Sequence, residues 1–228
     1  MICSPSRALL VAAFLVSALI PAAAQTPTRL ERQLSHVDLG ISGAGEFTRS
    51  VSGPIVPTGA SNYNTLTTQA ASNTLGAMAN IRYTPRPLVG LEFNYAWARY
   101  TESFTPAPAT PTVAGSVFPL QTTYNEYTLG YIITPAHTLF GLQPFASAGL
   151  GSIEFKPTAG GGDRAPIQAR AAYYYNVGLQ QEFHDSHFGL RVSFRQVFFL
   201  APDYGQNYLT ILKHTTATQP TAGFFLRF

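Results

Sequence analysis

TATQPTAGFFLRF, residues Thr216 to Phe228, ends the sequence, and its reading decides the fold. Counting back in twos from Phe228 places Leu226, Phe224 and Ala222 on one face. The other face carries Arg227, Phe225, Gly223, Thr221 and Gln219. A period of two belongs to a strand whose two sides meet different surroundings. The greasy side ends in an aromatic, with nothing after it to cover it. In water this would be an exposed sheet edge; in a closed membrane barrel it is a lipid-facing strand with an interfacial aromatic anchor. The competing reading is an edge strand of a soluble sandwich.

Working outward, the same alternation recurs seven times. Strands are expected over His36–Phe47, Thr68–Tyr83, a third centred on Leu91–Ala98, Thr122–Ile133, Leu142–Phe155, Ala169–Phe183 and Phe188–Leu200. The third is the clearest, with Leu91, Phe93, Tyr95 and Trp97 opposed to Glu92, Asn94, Ala96 and Ala98. Long connections rich in Gly, Pro, Thr and Ser (Thr48–Thr67, Glu102–Gln121, Lys156–Gln168, Ala201–Thr215) alternate with short turns at Thr84–Pro87, Pro135–Gly141 and His184–His187. Barrels of the bacterial outer membrane sort their loops this way, long outside and short in the periplasm, with an even number of strands. A soluble sandwich has no reason to do so. The expected fold is therefore all-β: a closed eight-stranded antiparallel up-and-down transmembrane β-barrel over residues 36–228, behind a cleavable signal peptide. Both termini would be periplasmic and the compartment the bacterial outer membrane.

The signal peptide is read over residues 1–24: Arg7 is the positive n-region, Ala8–Ile20 the apolar h-region, and Ala22-Ala23-Ala24 the cleavage site. Residues 25–35 form a polar periplasmic lead-in, expected to be mobile. Cys3, the one cysteine, falls inside the signal peptide, which excludes a disulfide framework or thiolate metal site in the mature chain. Charged residues make up 11% of the sequence, against a usual share of about 25%, while it holds 16 Phe and 12 Tyr. The formal charge of +3 is too balanced to point to nucleic acid. No apolar run after Ala24 approaches the ~20 residues of a membrane helix.

A last strand with alternating aromatic and aliphatic residues and a terminal Phe resembles the insertion signal of outer-membrane barrel proteins, here Phe224, Leu226 and Phe228. The whole mature chain resembles the small eight-stranded OmpA/OmpX-like barrels. That resemblance implies contact with outer-membrane lipid and lipopolysaccharide, and handling by the barrel-assembly machinery through the C-terminal strand. It also implies a monomer with no nucleic-acid partner and no cofactor.

An eight-stranded barrel is only wide enough inside for side chains to fill it. The expected inward set is a packed polar network of Asp38, Arg82, Glu92, Asn94, Glu126, Glu154, Gln180, Glu182, Arg191, Arg195 and Arg227. Its acids and arginines nearly balance, as buried charges must. Tyr83, Phe140, Phe183, Phe188 and Phe228 are expected at the periplasmic rim, and Tyr100, Tyr124, Tyr173 and Phe199 at the outer one. His184-Asp185-Ser186 has the residue types of a hydrolase but sits in a periplasmic turn, away from outer-leaflet lipid, where such residues are ordinary turn formers. No H-E-x-x-H, G-x-S-x-G or P-loop pattern occurs, so neither catalytic, cofactor nor metal residues are expected. The expected role is structural or surface-interacting. A small porin-like or hydrophobic-molecule transport barrel is the first alternative, and a lipid-modifying enzyme the second.

Overall fold

The computed structural model describes residues 28–55, 66–85, 88–107, 117–183, 187–206 and 209–228. The signal peptide and the His184-Asp185-Ser186 turn lie outside them. The chain divides into two compact units, residues 1–32 and 33–228. The described part of the first begins a short helix, α1 (Arg29–Leu34), where the polar composition suggested only a mobile lead-in. The helix start is a capping box: the Thr28 N–H donates to Glu31 Oε2 (2.6 Å) and the Glu31 N–H to Thr28 Oγ1 (3.3 Å), two orphan donors satisfied at once.

The second unit is the barrel. Its strands are β1 (Val37–Thr48), β2 (Val51–Pro54), β3 (Leu66–Ala71), β4 (Thr74–Tyr83), β5 (Val89–Pro106), β6 (Phe118–Ile133), β7 (Gln143–Pro157), β8 (Gln168–Glu182), β9 (Phe188–Leu200) and β10 (His214–Arg227). Eight of them make the wall, in the order β4-β1-β10-β9-β8-β7-β6, with β5 pairing both β4 and β6 to close the ring. Every pairing in the ring is antiparallel. The seam joins first wall strand to last, running from Asp38↔Arg227 to Thr48↔Ala217. The remaining two strands, β2 and β3, form a hairpin that prolongs the wall above β1 and β4, with β3 paired to the upper part of β5.

This hairpin revises the sequence expectation, in which Thr48–Thr67 is all loop. β5 and β6 likewise run into the expected loop Glu102–Gln121, to Pro106 and from Phe118. The reason is physical. Above the apolar belt the outward face turns polar (Ser103, Thr105) while Glu102, Phe104 and Leu120 mix on the inward face, so the alternation that marks a lipid-facing strand disappears although its ladder continues.

The belt itself is the outward face of all eight wall strands. Ile41, Ile81, Phe93, Leu129, Leu150, Val177, Val192 and Phe224 are all exposed, Leu129 by 55% and Leu150 by 71%. A monomer in water rarely exposes a contiguous apolar patch beyond a few hundred Å². A ring of such residues around a closed sheet is a surface for hydrocarbon, where only structures with no unpaired backbone edge can stand. Among the described residues no helix is long and apolar enough to cross a membrane.

Three of the expected outer-rim aromatics are inside instead. Tyr100, Tyr124 and Phe199 are almost fully buried in the lumen, whereas Tyr173 faces out. Tyr100 shares the inward parity of Glu92, eight residues before it, and strand parity outranks position along the strand. The aromatics that do face out near the long-loop end include Phe47, Trp97, Tyr127 and Tyr173.

Candidate functional site

The lumen is where the sequence concentrates its polar chemistry, and it is filled in three layers. The layer nearest the termini is built around two arginines. Arg191 on β9 donates to Asp38 Oδ1 on β1 (3.0 Å), to Asn80 Oδ1 on β4 (2.8 Å) and to Gln180 Oε1 on β8. Arg82 on β4 donates to Glu92 on β5 and, at 3.2 Å, to the same Gln180 Oε1. One amide oxygen thus lies between two like charges and accepts from both. Glu92 Oε1 also accepts from Asn94 Nδ2, Ser147 Oγ and Tyr174 OH, at 2.9, 3.0 and 3.3 Å. Both guanidinium planes rest on rings: Arg82 4.2 Å from the Phe145 centroid, Arg191 4.5 Å from that of Phe225. Gly40 makes room for this cluster, since a Cβ there would lie 2.5 Å from Asn80 Oδ1 and 3.0 Å from Arg191 Nη1.

The middle layer is one fully buried ion pair and its supports. Arg195 on β9 pairs with Glu126 on β6. It also donates to Gln219 Oε1 on β10 (2.6 Å) and Thr128 Oγ1 (2.8 Å), and lies 4.1 Å from the Tyr174 ring centroid. Tyr124 OH donates to Glu126 Oε2 at 2.6 Å. Gln219 Nε2 reaches Glu46 and Glu126, at 2.8 and 3.2 Å. Tyr174 ties the two layers together, its hydroxyl on Glu92 and its ring under Arg195.

The third layer is apolar and aromatic. Phe155, Phe199, Tyr124 and Tyr204 stack edge to face or tilted, with centroids 5.6–6.5 Å apart, above Ile153 and Val197. Tyr204 does not come from the wall but from the β9–β10 connection, which folds into the mouth. Its hydroxyl donates to Glu102 and meets Thr122 Oγ1 at 2.9 Å. Gln69 Nε2 donates to Glu102 Oε1 (2.7 Å) and to the Pro202 carbonyl (2.8 Å), fastening the start of the connection to β3 and β5. Tyr204 holds φ at 52°, a left-handed conformation that costs a bulky residue about 1–3 kcal/mol. The contacts of its buried ring and hydroxyl offset that cost.

Beside it, Asp203 pairs with Arg170 at 3.0 Å and accepts from Gln168 Nε2 and the Gly205 N–H. Partial burial alone would raise the Asp203 pKa. Hydrogen bonds from Gln168, Gly205 and Thr210, together with Arg170, outweigh it and hold the carboxyl below its ordinary value.

Of the residues assigned inward from sequence, Asp38, Arg82, Glu92, Asn94, Glu126, Gln180, Arg191 and Arg195 are buried in these layers. Glu182 and Arg227 meet at the terminal end, 2.8 Å apart and partly solvated, with Arg227 also 3.8 Å from Asp38. Glu154 is a correction: Ile153 and Phe155 on either side of it are buried inward, so its side chain faces out. The small residues Ala146, Ser147, Ala148, Gly149 and Gly151 hide the alternation on β7, which only Leu150 marks. Glu46 and Glu102 went unassigned, yet both are buried in the lumen. Steps of two from Asp38 and from Glu92 reach them, so the signal was present. Nothing in the sequence singles out Tyr204. The terminal residues Phe224, Leu226 and Phe228 all face outward, and the Phe228 N–H lies 3.4 Å from the Val37 carbonyl across the seam.

At the terminal end the lumen opens into a vestibule of about 270 Å³ lined by Ser35, His36, Asp38, Arg82, Gln180 and Arg227, among others. Among the described residues no cluster of three or more His, Cys, Asp or Glu could hold a metal ion.

No family model matches the sequence, and no curated protein matches it. Solved structures do. The outer membrane protein OprG from Pseudomonas aeruginosa is similar, with a TM-score of 0.54 and 12% identity, over 84% of this chain and 95% of that one. Neisserial surface protein A (NspA) is similar with a TM-score of 0.52 and 10% identity, over 83% and 97%. At such identities the likeness shows the fold alone, and it agrees with the ring of eight antiparallel strands and its apolar girdle: this chain has the fold of the small outer-membrane β-barrels.

Proposed function

We propose that the protein is an integral, monomeric barrel of the bacterial outer membrane, with both termini periplasmic and the long loops outside, and with a structural or surface-interaction role rather than an open pore or an enzyme. The observation that carries this reading is the filled lumen. The buried Arg82–Glu92 and Arg195–Glu126 pairs, and the aromatic layer closed by Tyr204, pack the lumen among the described residues, which supports a closed barrel. Moving an ion through would require separating at least one buried pair, which costs several kcal/mol for each charge left alone. Orientation is supported by the sorting of connections, since short turns and both termini share one end. The outward Phe224, Leu226 and Phe228 on the seam strand are the surface through which assembly factors would receive the chain.

Planar-bilayer recording of the refolded protein tests the closed lumen. A flat baseline is expected, unchanged by Glu92→Ala or Arg191→Ala. Discrete current steps that either substitution alters would replace this reading with a gated pore. Protease access to a tag in the 158–167 connection of intact cells, against a tag after Phe228, tests the orientation.

A further inference from the structure

Beyond the lumen, the outer wall carries a furrow. The outward face of β10 is low beside β9, whose Phe198, Phe194 and Val192 stand opposite it: Thr216, Thr218, Pro220 and Ala222 follow one another along it. Phe47 of β1 stands opposite Thr218 on one side, and Phe198 of β9 opposite Thr216 on the other. The floor continues toward the membrane centre over Gly43, which is paired with Ala222 and has open space where a Cβ would be, with only the Ala222 carbonyl as near as 4.0 Å. From Thr216 to Ala222 the furrow runs roughly 20 Å at about 3.3 Å per residue, the reach of a long extended acyl chain. Its upper part is a cavity of about 500 Å³ lined by Phe47, Arg49, Gln196, Phe198, Thr216 and Thr218.

The β9 wall is fixed from behind. Phe198 stacks on Tyr173 with centroids 5.1 Å apart and planes at 10°, and Tyr175 OH donates to Gln196 Oε1. A hydrocarbon chain entering would meet a preformed slot.

The mouth of the furrow is basic. The Arg49 N–H donates to the Thr216 carbonyl at 2.9 Å and its carbonyl accepts from Thr215 Oγ1, which sets its backbone at the top of the slot. His214 lies two residues beyond Thr216 on the same face, and Lys213 precedes it. Both carboxylates of β1, Asp38 and Glu46, are buried in the lumen, and β9 and β10 carry none. The outer surface here is therefore positive where the apolar belt ends, at headgroup height.

We propose that this furrow binds a phosphorylated, acylated glycolipid of the outer leaflet, one acyl chain lying along β10 and a phosphate held by Arg49. A guanidinium matches a phosphate with two parallel N–H···O bonds, and an apolar slot ending in one supplies both halves of such a lipid. The inference rests on the outer-membrane reading and its orientation.

The test is native mass spectrometry of the full-length barrel released from detergent in the presence of bis-phosphorylated lipid A, dephosphorylated lipid A or phosphatidylglycerol. Wild type, Arg49→Ala and Thr218→Trp, which fills the slot, are compared. Each is first checked for heat-modifiable migration on SDS gels and for insertion into liposomes. Wild type is expected to retain one bis-phosphorylated lipid A at about tenfold lower concentration than either other lipid, the worth of one lost charge-assisted contact. Arg49→Ala should abolish that preference, and Thr218→Trp should reduce retention of lipid A whether phosphorylated or not. Equal retention of all three lipids by wild type, or retention unchanged in both variants, overturns the proposal while leaving the barrel in its membrane. A wild-type chain that neither inserts nor shows heat modification would overturn the membrane reading and the lipid site together.

Discussion

Replacing Arg195 by Met should unseat the centre of the barrel. The side chain is fully buried, and its loss removes the partner of Glu126, the donor to Gln219 Oε1 and Thr128 Oγ1, and the cation over Tyr174. Glu126 would then face Glu46 across Gln219 without the cation that pairs it. Breaking one side of a buried pair costs about 3–5 kcal/mol, mostly the penalty of the charge left behind. That is about two to three and a half powers of ten in the folding equilibrium. Removing both charges together should cost much less. In Arg195→Met/Glu126→Leu the uncompensated carboxylate is gone, and what remains is about 1 kcal/mol for each hydroxyl or amide left without a partner. The double-mutant cycle should therefore show a coupling of about 2 kcal/mol or more. Guanidinium unfolding from lipid vesicles measures it, followed by the one tryptophan. Trp97 faces outward, 40% exposed on the belt, so its emission moves when it leaves hydrocarbon. A single substitution costing less than about 1 kcal/mol, or strict additivity of the two, would refute the view that this pair is an unhydrated, mutually dependent unit.

Three further outcomes follow from other parts of the wall and mouth. Leu129→Arg, in the middle of the belt, should destabilise by about 2–4 kcal/mol, whereas Thr105→Arg on the outward face beyond the belt should stay within about 0.5 kcal/mol; equal costs would mean the belt is misplaced. Tyr204→Phe keeps the ring but removes the hydroxyl that meets Glu102 and Thr122. Amide exchange over 201–206 should then quicken by about tenfold, the effect of a lost bond of about 1–1.5 kcal/mol, with β4 and β9 unchanged; unaltered exchange would show that the hydroxyl does not hold the connection. Because the folded Asp203 pKa lies below its unfolded value, its contribution is present above about pH 4 and is lost as pH falls through the folded value. Limited proteolysis of the β9–β10 connection should therefore speed up in acid below that point, and Asp203→Asn should remove the acid-dependent part.

How much of this was legible beforehand depends on where hydrophobicity meets a change of surroundings. On β5 the alternation from Leu91 to Trp97 separates oil from lumen, so both the strand and the inward Glu92 and Asn94 can be read directly. On β7 Ala146, Ser147, Ala148, Gly149 and Gly151 are all small, only Leu150 marks a face, and Glu154 is expected on the wrong side. Glu102 shows the reverse failure: parity from Glu92 reaches it, but it falls where the outward face turns polar and a loop is expected; Glu46 lies inside the expected first strand, eight residues on from Asp38, and parity alone reaches it. The Tyr204 plug had no local signature at all. A tyrosine in a loop joins an aromatic layer only because β6, β7 and β9 bring Tyr124, Phe155 and Phe199 to the same height, and such a convergence lies in the register and not in any one segment.

The Asp38↔Arg227 seam bears on how such a wall can come into being. Until β10 is in place, β1 and β9 each present a row of amides with no partner, and hydrocarbon offers none. A chain made in sequence order therefore carries an incomplete cylinder until β10, the last strand of the wall, has been made. Insertion strand by strand is closed to it. Either the whole ribbon curls and shuts in a single concerted event, or another protein lends its own edge as a temporary stave until β10 displaces it.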